Sequence, residues 1–236
     1  MMRSVTASTA PQPERATRSV PRRATYHHGD LRRALLDASL ELAREGGPDA
    51  VVVREATRRV GVSANAAYRH FADREALLET VASRAQGRAA DVIAEEIAAV
   101  PDTGDDRVVA RGRFRAVGIG YLRFALAEPG LFRTAFGVPV DLSRSASAEA
   151  AGECGRTPFQ LLSDQLDAMV ESGALPPERR GGAELLAWSA VHGFAMLALE
   201  GPLRGLPPEA VEQIAPRLVE MVDLGLGLVE SPVAGG

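Results

Sequence analysis

Between Val53 and Phe71, V-R-E-A-T-R-R-V-G-V-S-A-N-A-A-Y-R-H-F, the residues able to do chemistry are Arg54, Arg58, Arg59 and Arg69, with Ser63, Asn65, Tyr68 and His70. Guanidinium groups, hydroxyls and an imidazole in so short a run suit phosphate oxygens, which take most protein–DNA hydrogen bonds. Among the leading residues Asn65 alone presents an amide, and an amide fits the N6/N7 edge of adenine. Its neighbours Ala64 and Ala66 are small enough to let a backbone approach a groove. The implied chemistry is positioning on a phosphate backbone with sparse direct reading of bases.

Rigid elements must carry those side chains. Ala56 and Val60 stand at i and i+4 on one helical face, and Gly61 follows where a left-handed C-terminal cap is wanted, which predicts a helix ending at Val60. Val62 can turn inward under the bend. Ser63 can accept from free backbone N–H groups, which predicts a second helix starting at Ala64. Two short helices joined by a glycine turn make a helix-turn-helix whose second member is the recognition helix. A plain corner between two helices has the same pattern, so the flanks have to decide.

Before the motif, Leu31, Leu35, Ala38 and Leu42 recur on one stripe from Asp30 until Gly46-Gly47-Pro48, which predicts a helix closing the core behind the reading unit. After it, Asp73 is an N-cap for a long helix from Arg74 to about Val100, ended by Pro101. The lead-in Y-H-H-G-D-L-R-R-A-L-L-D-A-S-L-E-L from Tyr26 and the exit A-Y-R-H-F-A-D-R-E-A-L-L resemble the TetR family of bacterial transcription regulators, over roughly Tyr26 to Val81. Further on, A-W-S-A-V-H-G from Ala187 to Gly193 resembles the Trp…His-Gly (WHG-like) signature of one subgroup's regulatory domain.

The resemblance implies that the fourth helix carries ligand-driven movement from a regulatory core to the DNA-reading unit, that Arg74 touches phosphate, and that Arg54 lies close to the groove edge. It also implies pairing of two subunits through the last two long helices. The chain departs from the family at Val51-Val52-Val53, where Ser or Thr is usual, so a helix cap and a phosphate contact are missing; Thr57 and Val60 stand where alanine is frequent.

Composition sets the outer bounds. The chain has 236 residues, 46% hydrophobic and 25% charged, enough for two modest helical cores. Its single cysteine, Cys154, excludes an internal disulfide and a cysteine-based zinc cluster. The net charge of −4 is unevenly spread: residues 1–88 hold 15 Arg against 10 acidic residues, and residues 89–236 hold 12 against 21. The positive half contains the helix-turn-helix, as an electrostatic footprint on DNA requires. Residues 1–25 read as a disordered basic tail with no apolar core for a signal peptide. That tail is either a solvated extension or an arm adding phosphate or minor-groove contacts.

Beyond Pro101 the pattern predicts helices over Arg107–Ala127, Leu131–Phe136, Pro158–Ser172, Gly182–Glu200 and Pro208–Val229, with a mobile loop over Gly137–Gly155 and a kink or true helix start at Pro216. Gly182–Glu200 is apolar on nearly every side, so it must pack against its own core and a second surface, a second subunit being the natural candidate; Gly193 holds nothing apart, and Phe194 and Leu197 stand ready to cross the boundary. The run is too short to span a membrane. Phe114, Tyr121, Phe124, Phe159, Trp188 and His192 are the candidates for a small-molecule pocket, although core packing uses the same residue types. Trp188 and His192, at i and i+4, either face a ligand or form a buried interface.

No G-x-S-x-G, H-E-x-x-H, phosphate-cradling loop or cysteine pair occurs, and the adjacent His27 and His28 make a poor metal site. No cofactor, metal or catalysis is expected. The expected protein is all-α: an N-terminal three-helix helix-turn-helix domain at 26–80 followed by a helical ligand-binding and dimerisation domain at 81–230. Its expected function is that of a cytoplasmic, homodimeric transcription regulator, a repressor rather than an activator, released from a palindromic operator by an unidentified small molecule. The DNA-binding set is Arg54, Ser63, Ala64, Asn65, Ala66, Tyr68, Arg69, His70 and Arg74. The other readings are an activator of the same fold and a helical interaction protein that no longer reads DNA.

Overall fold

The computed structural model describes residues 28–137 and 150–227. The tail expected at 1–25 and the central part of the Gly137–Gly155 loop lie outside the described residues. Within them the chain is all-helical with no strand. The helices are α1 (His28–Gly46), α2 (Val53–Val60), α3 (Ala64–Ala67), α4 (Arg74–Ala98), α5 (Asp106–Ala127), α6 (Pro129–Gly137), α7 (Pro158–Glu171), α8 (Ala183–Leu199) and α9 (Pro208–Gly227), with single 3-10 turns at Pro48–Ala50 and Pro177–Arg179.

Local chemistry explains most boundaries. Asp73 caps α4 by accepting from the Ala76 N–H at 2.8 Å, and Asp105 caps α5 by accepting from Arg107 and Val108. T-P-F-Q at the start of α7 forms a reciprocal capping box: the Gln160 N–H donates to the Thr157 hydroxyl and the Thr157 N–H to Gln160 Oε1, with Pro158 in the first turn. Pro216 lies inside α9, which begins eight residues earlier at Pro208 and continues to Gly227. Pro216 and Glu212, whose carbonyl loses its partner, are both exposed, so water can satisfy the freed oxygen.

The packing is organised by α4. Its Val81, Ala82, Ala85, Ala89 and Ala90 are fully buried, and the small side chains bring neighbouring helices close. Toward its start α4 packs on α1; along its length it packs on α5, α6 and α7. At one junction, a Cβ added to Gly130 of α6 would sit 2.3 Å from the carbonyl oxygens of Ala43 and Arg44 at the end of α1. Only glycine fits there. Arg44 and Glu128 brace the same junction with a 2.9 Å ion pair.

The regulatory half closes through a buried charge. Asp223 of α9 is fully buried and takes Arg111 Nη1 at 2.6 Å and Arg115 Nε at 2.7 Å, both from α5. The carboxylate is held from two sides, so α9 is pinned to α5 in one register. Asp223→Ala strands two guanidiniums that are each about one-third exposed and can partly rehydrate. The expected loss is about 3 kcal/mol, the low end for breaking a buried ion pair, seen as a lower midpoint in urea unfolding with an unchanged slope.

Candidate DNA-reading head and regulatory cavity

The motif region folds as two helices about a left-handed glycine. Gly61 has φ 76° and ψ 31° and its N–H donates to the Thr57 carbonyl at 2.9 Å. Val62 is half-buried and packs on the core, as the sequence predicts. Ala56 and Thr57 are buried and Val60 is partly buried, with the Thr57 hydroxyl donating to the Arg54 carbonyl at 2.9 Å. Val52 precedes α2 without a side-chain cap, the loss expected from Val51-Val52-Val53.

One expectation for the second helix needs correction. Ser63 has the extended backbone of an N-cap, but its hydroxyl makes no capping bond. Regular α-helix covers only Ala64–Ala67, and Tyr68, Arg69 and His70 follow as a turn closed by His70 N–H and Phe71 N–H, both donating to the Ala67 carbonyl. Buried Ala67 and Phe71 anchor this turn, and the Arg32 guanidinium lies 5.3 Å over the Phe71 ring.

Ser63, Ala64, Asn65, Tyr68 and Arg69 are exposed on one short stretch, with Ala66 and His70 half-buried. The arginines divide. Arg58 is paired with Glu55, and Arg59 with Glu45. Arg54 and Arg69 are exposed and have no ion-pair partner among the described residues. Arg74 holds the head together: its Nε donates to the Val51 carbonyl at 2.8 Å and its Nη2 to the Pro48 carbonyl at 2.7 Å, tying the entry of α2 to the start of α4. The guanidinium expected to touch phosphate is thus engaged within the head itself.

Asn65 and Arg74 should consequently fail in different ways. Asn65→Ala should leave the fold unchanged and cost about 1–3 kcal/mol on the preferred operator, with one base-pair preference relaxed. Arg74→Ala should lower stability by about 1–2 kcal/mol through loss of two charge-assisted bonds, one part-buried and one exposed. Binding to every sequence should weaken, with a salt slope smaller by about one unit per monomer. Urea unfolding beside binding titrations across salt and operator variants measures both.

In the regulatory half, helices α4 to α9 line an apolar cavity of about 80 Å³, several times the ~10–15 Å³ that one water needs. Phe114, Tyr121, Phe159 and Trp188 line it as expected. Phe124 does not; it is buried in the core away from the lining. His192 is also absent from the wall but sits directly behind it. Trp188 Nε1–H donates to the Tyr121 hydroxyl at 3.2 Å, and that hydroxyl lies 2.9 Å from His192 Nδ1. Indole can only donate, so the arrangement that uses every proton has Tyr121 O–H donating to an unprotonated Nδ1. The sequence reading missed Gln86 as a wall residue and did not select Phe136. Gln86 lies on α4, outside the aromatic pattern that drew attention to the rest.

Burial lowers the His192 pKa from its ordinary value, and it raises that of Tyr121 against the opposing hydrogen bond from Trp188. A histidine whose folded pKa is depressed binds fewer protons folded than unfolded in the interval between the two values. Its contribution to stability is full above about pH 6.5 and is lost as pH falls through the lower folded value. Thermal unfolding of the wild type should therefore weaken over that interval more than that of His192→Gln. Equal pH dependence in the two proteins would contradict the buried, proton-accepting role of Nδ1.

A helix-turn-helix head joined by a continuous helix to an all-helical, cavity-bearing domain defines a DNA-binding regulator. Residues 35–81 match the profile of bacterial regulatory proteins of the tetR family, and residues 114–222 match that of the tetracyclin repressor-like C-terminal domain. The chain belongs to the TetR family of transcriptional regulators, and its two matched parts are those of a regulator, not an enzyme. A protein of unknown function from Rhodococcus sp. RHA1 is similar at 28% identity and a TM-score of 0.66, covering 87% of this chain and 100% of that one. A protein described as a tetR family transcription regulator, from Shewanella sp. PV-4, is 18% identical with a TM-score of 0.55, over 84% and 99% of the two chains. A TetR variant from Acinetobacter baumannii AYE in complex with minocycline is 16% identical with a TM-score of 0.56, over 87% and 98%. The last two likenesses concern the fold. No curated protein matches the chain significantly. Among the described residues no helix is long and apolar enough to cross a membrane, and no cluster of metal-ligating side chains occurs.

Proposed function

We propose that this chain is a repressor that binds a palindromic operator in the cytoplasm as a homodimer and releases it when a small molecule occupies the regulatory cavity. The observation that carries the reading is the single helix α4. Its first residue, Arg74, braces the DNA-reading head, and three turns later Gln86 lines the cavity, followed by Ile93. An occupant of the cavity touches the same rigid element that positions the head. We place the head at 26–80 and the regulatory domain at 81–230, with α4 shared between them. The Trp188…His192-Gly193 run supports a WHG-like regulatory domain, with Trp188 on the cavity wall.

The outer faces of α8 and α9 support the dimer. Toward its own core α8 presents small residues, Ala183, Ala187, Val191, Ala195 and Ala198, whereas Leu185, Leu186 and Leu197 are exposed; Phe194 is partly buried against the core. On α9 the exposed residues include Ile214, Met221 and Leu224. A side chain added at Gly193 would meet nothing within 4 Å. Large leucines facing out over small residues facing in are the inverse of a solvated helix and leave a contiguous apolar face to be covered by the same face of another copy. Two heads held by such a pair would enter successive major grooves of a palindromic site.

Charging this face and filling the cavity test the two parts. The double variant Leu186→Arg, Met221→Arg should be monomeric by light scattering, keep weak non-specific DNA binding and lose specific operator affinity at least a hundredfold. Compounds that raise the melting temperature of the wild type should weaken its operator binding. A compound that demonstrably enters the cavity yet never changes operator affinity would overturn the coupling.

A further inference from the structure

One buried polar group in the cavity wall has its hydrogen-bonding capacity unfilled. Gln86 is only 7% exposed and lines the cavity, and its Nε2 donates to the Ala135 carbonyl at 2.9 Å. A carbonyl oxygen can only accept, so the amide nitrogen must face Ala135 and Oε1 is the atom left over. Oε1 has no partner among the described residues. A buried acceptor in that condition carries its desolvation penalty until a donor reaches it. The other polar groups of the wall are engaged, Trp188 with Tyr121 and Tyr121 with His192. Among the described residues nothing ionised lines the cavity, and aromatic rings from Phe114, Phe136, Phe159 and Trp188 make up much of the wall.

We propose that the effector is a neutral, cyclic, mainly apolar molecule that donates a hydroxyl or N–H to Gln86 Oε1, an inference that rests on the cavity being the effector site. A carboxylate or ammonium entering the cavity would lose its hydration without meeting an opposite charge. A molecule of the same shape with no donor would fill the space and leave Oε1 unpaired. Gln86 thereby selects among apolar molecules, and because it stands on α4 it registers the chosen one on the helix that continues into the reading head.

Decahydro-2-naphthol, its methyl ether and decahydronaphthalene-2-carboxylate share one skeleton: the ether replaces the donor proton with a methyl group, and the carboxylate brings a charge. All three are transparent where indole absorbs, and Trp188 is the sole tryptophan and lies on the wall, so its fluorescence reads occupancy directly. At neutral pH the alcohol should bind about tenfold more tightly than the ether, the scale of one neutral hydrogen bond, and the carboxylate should not bind measurably. Gln86→Leu should remove the alcohol's advantage while leaving ether binding unchanged; if that variant does not fold, the wild-type ranking decides alone. Equal binding of alcohol and ether, binding of the carboxylate, or a preference that survives Gln86→Leu would overturn the role of Gln86 and leave the cavity standing as a binding site. Absence of binding by all three would overturn the cavity itself.

Discussion

The burial of α4 is the constraint on which the rest depends. A helix with Val81, Ala82, Ala85, Ala89 and Ala90 wholly shielded from water has no face along which to turn without opening a void against a neighbour. Close packing makes such a helix an object that shifts as a body instead of bending freely. Its two ends are tied by unlike interactions. At the head, Arg74 fixes it through polar bonds to the Val51 and Pro48 carbonyls; in the regulatory half, apolar contacts and the Gln86 amide hold it. Polar bonds specify position sharply, while apolar contacts tolerate the repacking that an occupied cavity demands.

Much of the head was legible in the sequence because its determinants are local. Gly61, Asp73 and the run from Leu31 to Leu42 act over one or two turns, and each produced the element it predicts. Ser63 shows the limit of such signals: residue type and backbone conformation suit a cap, yet the bond depends on a rotamer that spacing does not specify. Spacing placed the start of the recognition helix at Ala64 but not its end; regular helix stops at Ala67 and the polar residues ride on a turn. Arg74 was read for its charge, and only the fold reveals the Val51 and Pro48 carbonyls beside it.

In the regulatory half, helices were legible and partners were not. Periodicity reports that a face is apolar without saying what covers it, so Phe124 and Phe159 looked alike although one is core and the other lies at the cavity. The Asp223 pairs join residues more than a hundred positions apart, beyond the reach of any spacing argument. Gln86 carried no signal at all, since a lone amide on a long helix reads as a solvated residue. The size asymmetry of α8, with alanines inside and leucines outside, was by contrast present in the sequence from the start. An apolar helix was recognised there, and the fold adds which side each size of residue faces.

The junction between α6 and α1 bears on how movement can leave the cavity. Phe136 of α6 lines the cavity and the Ala135 carbonyl of the same helix receives the Gln86 amide, so α6 is held to the cavity and to α4 at one end. At its other end Gly130 lies against the Ala43 and Arg44 carbonyls with no room for even a methyl group, and Glu128 is paired with Arg44. A helix of nine residues, little more than two turns, does not absorb a displacement within itself. A shift of α6 toward α1 therefore has no slack to consume at Gly130 and must move the end of α1, whose buried face packs against α2 and α4 in the head. The cavity and the reading unit thus share two mechanical connections, one along α4 and one through α6. Both begin at the same Gln86–Ala135 hydrogen bond. If the cavity is the effector site proposed above, an occupant bound at Gln86 would bias the two connections together, whereas one bound elsewhere in the cavity would act on them separately, and an occupant can shift the equilibrium only by its difference in affinity for the two arrangements.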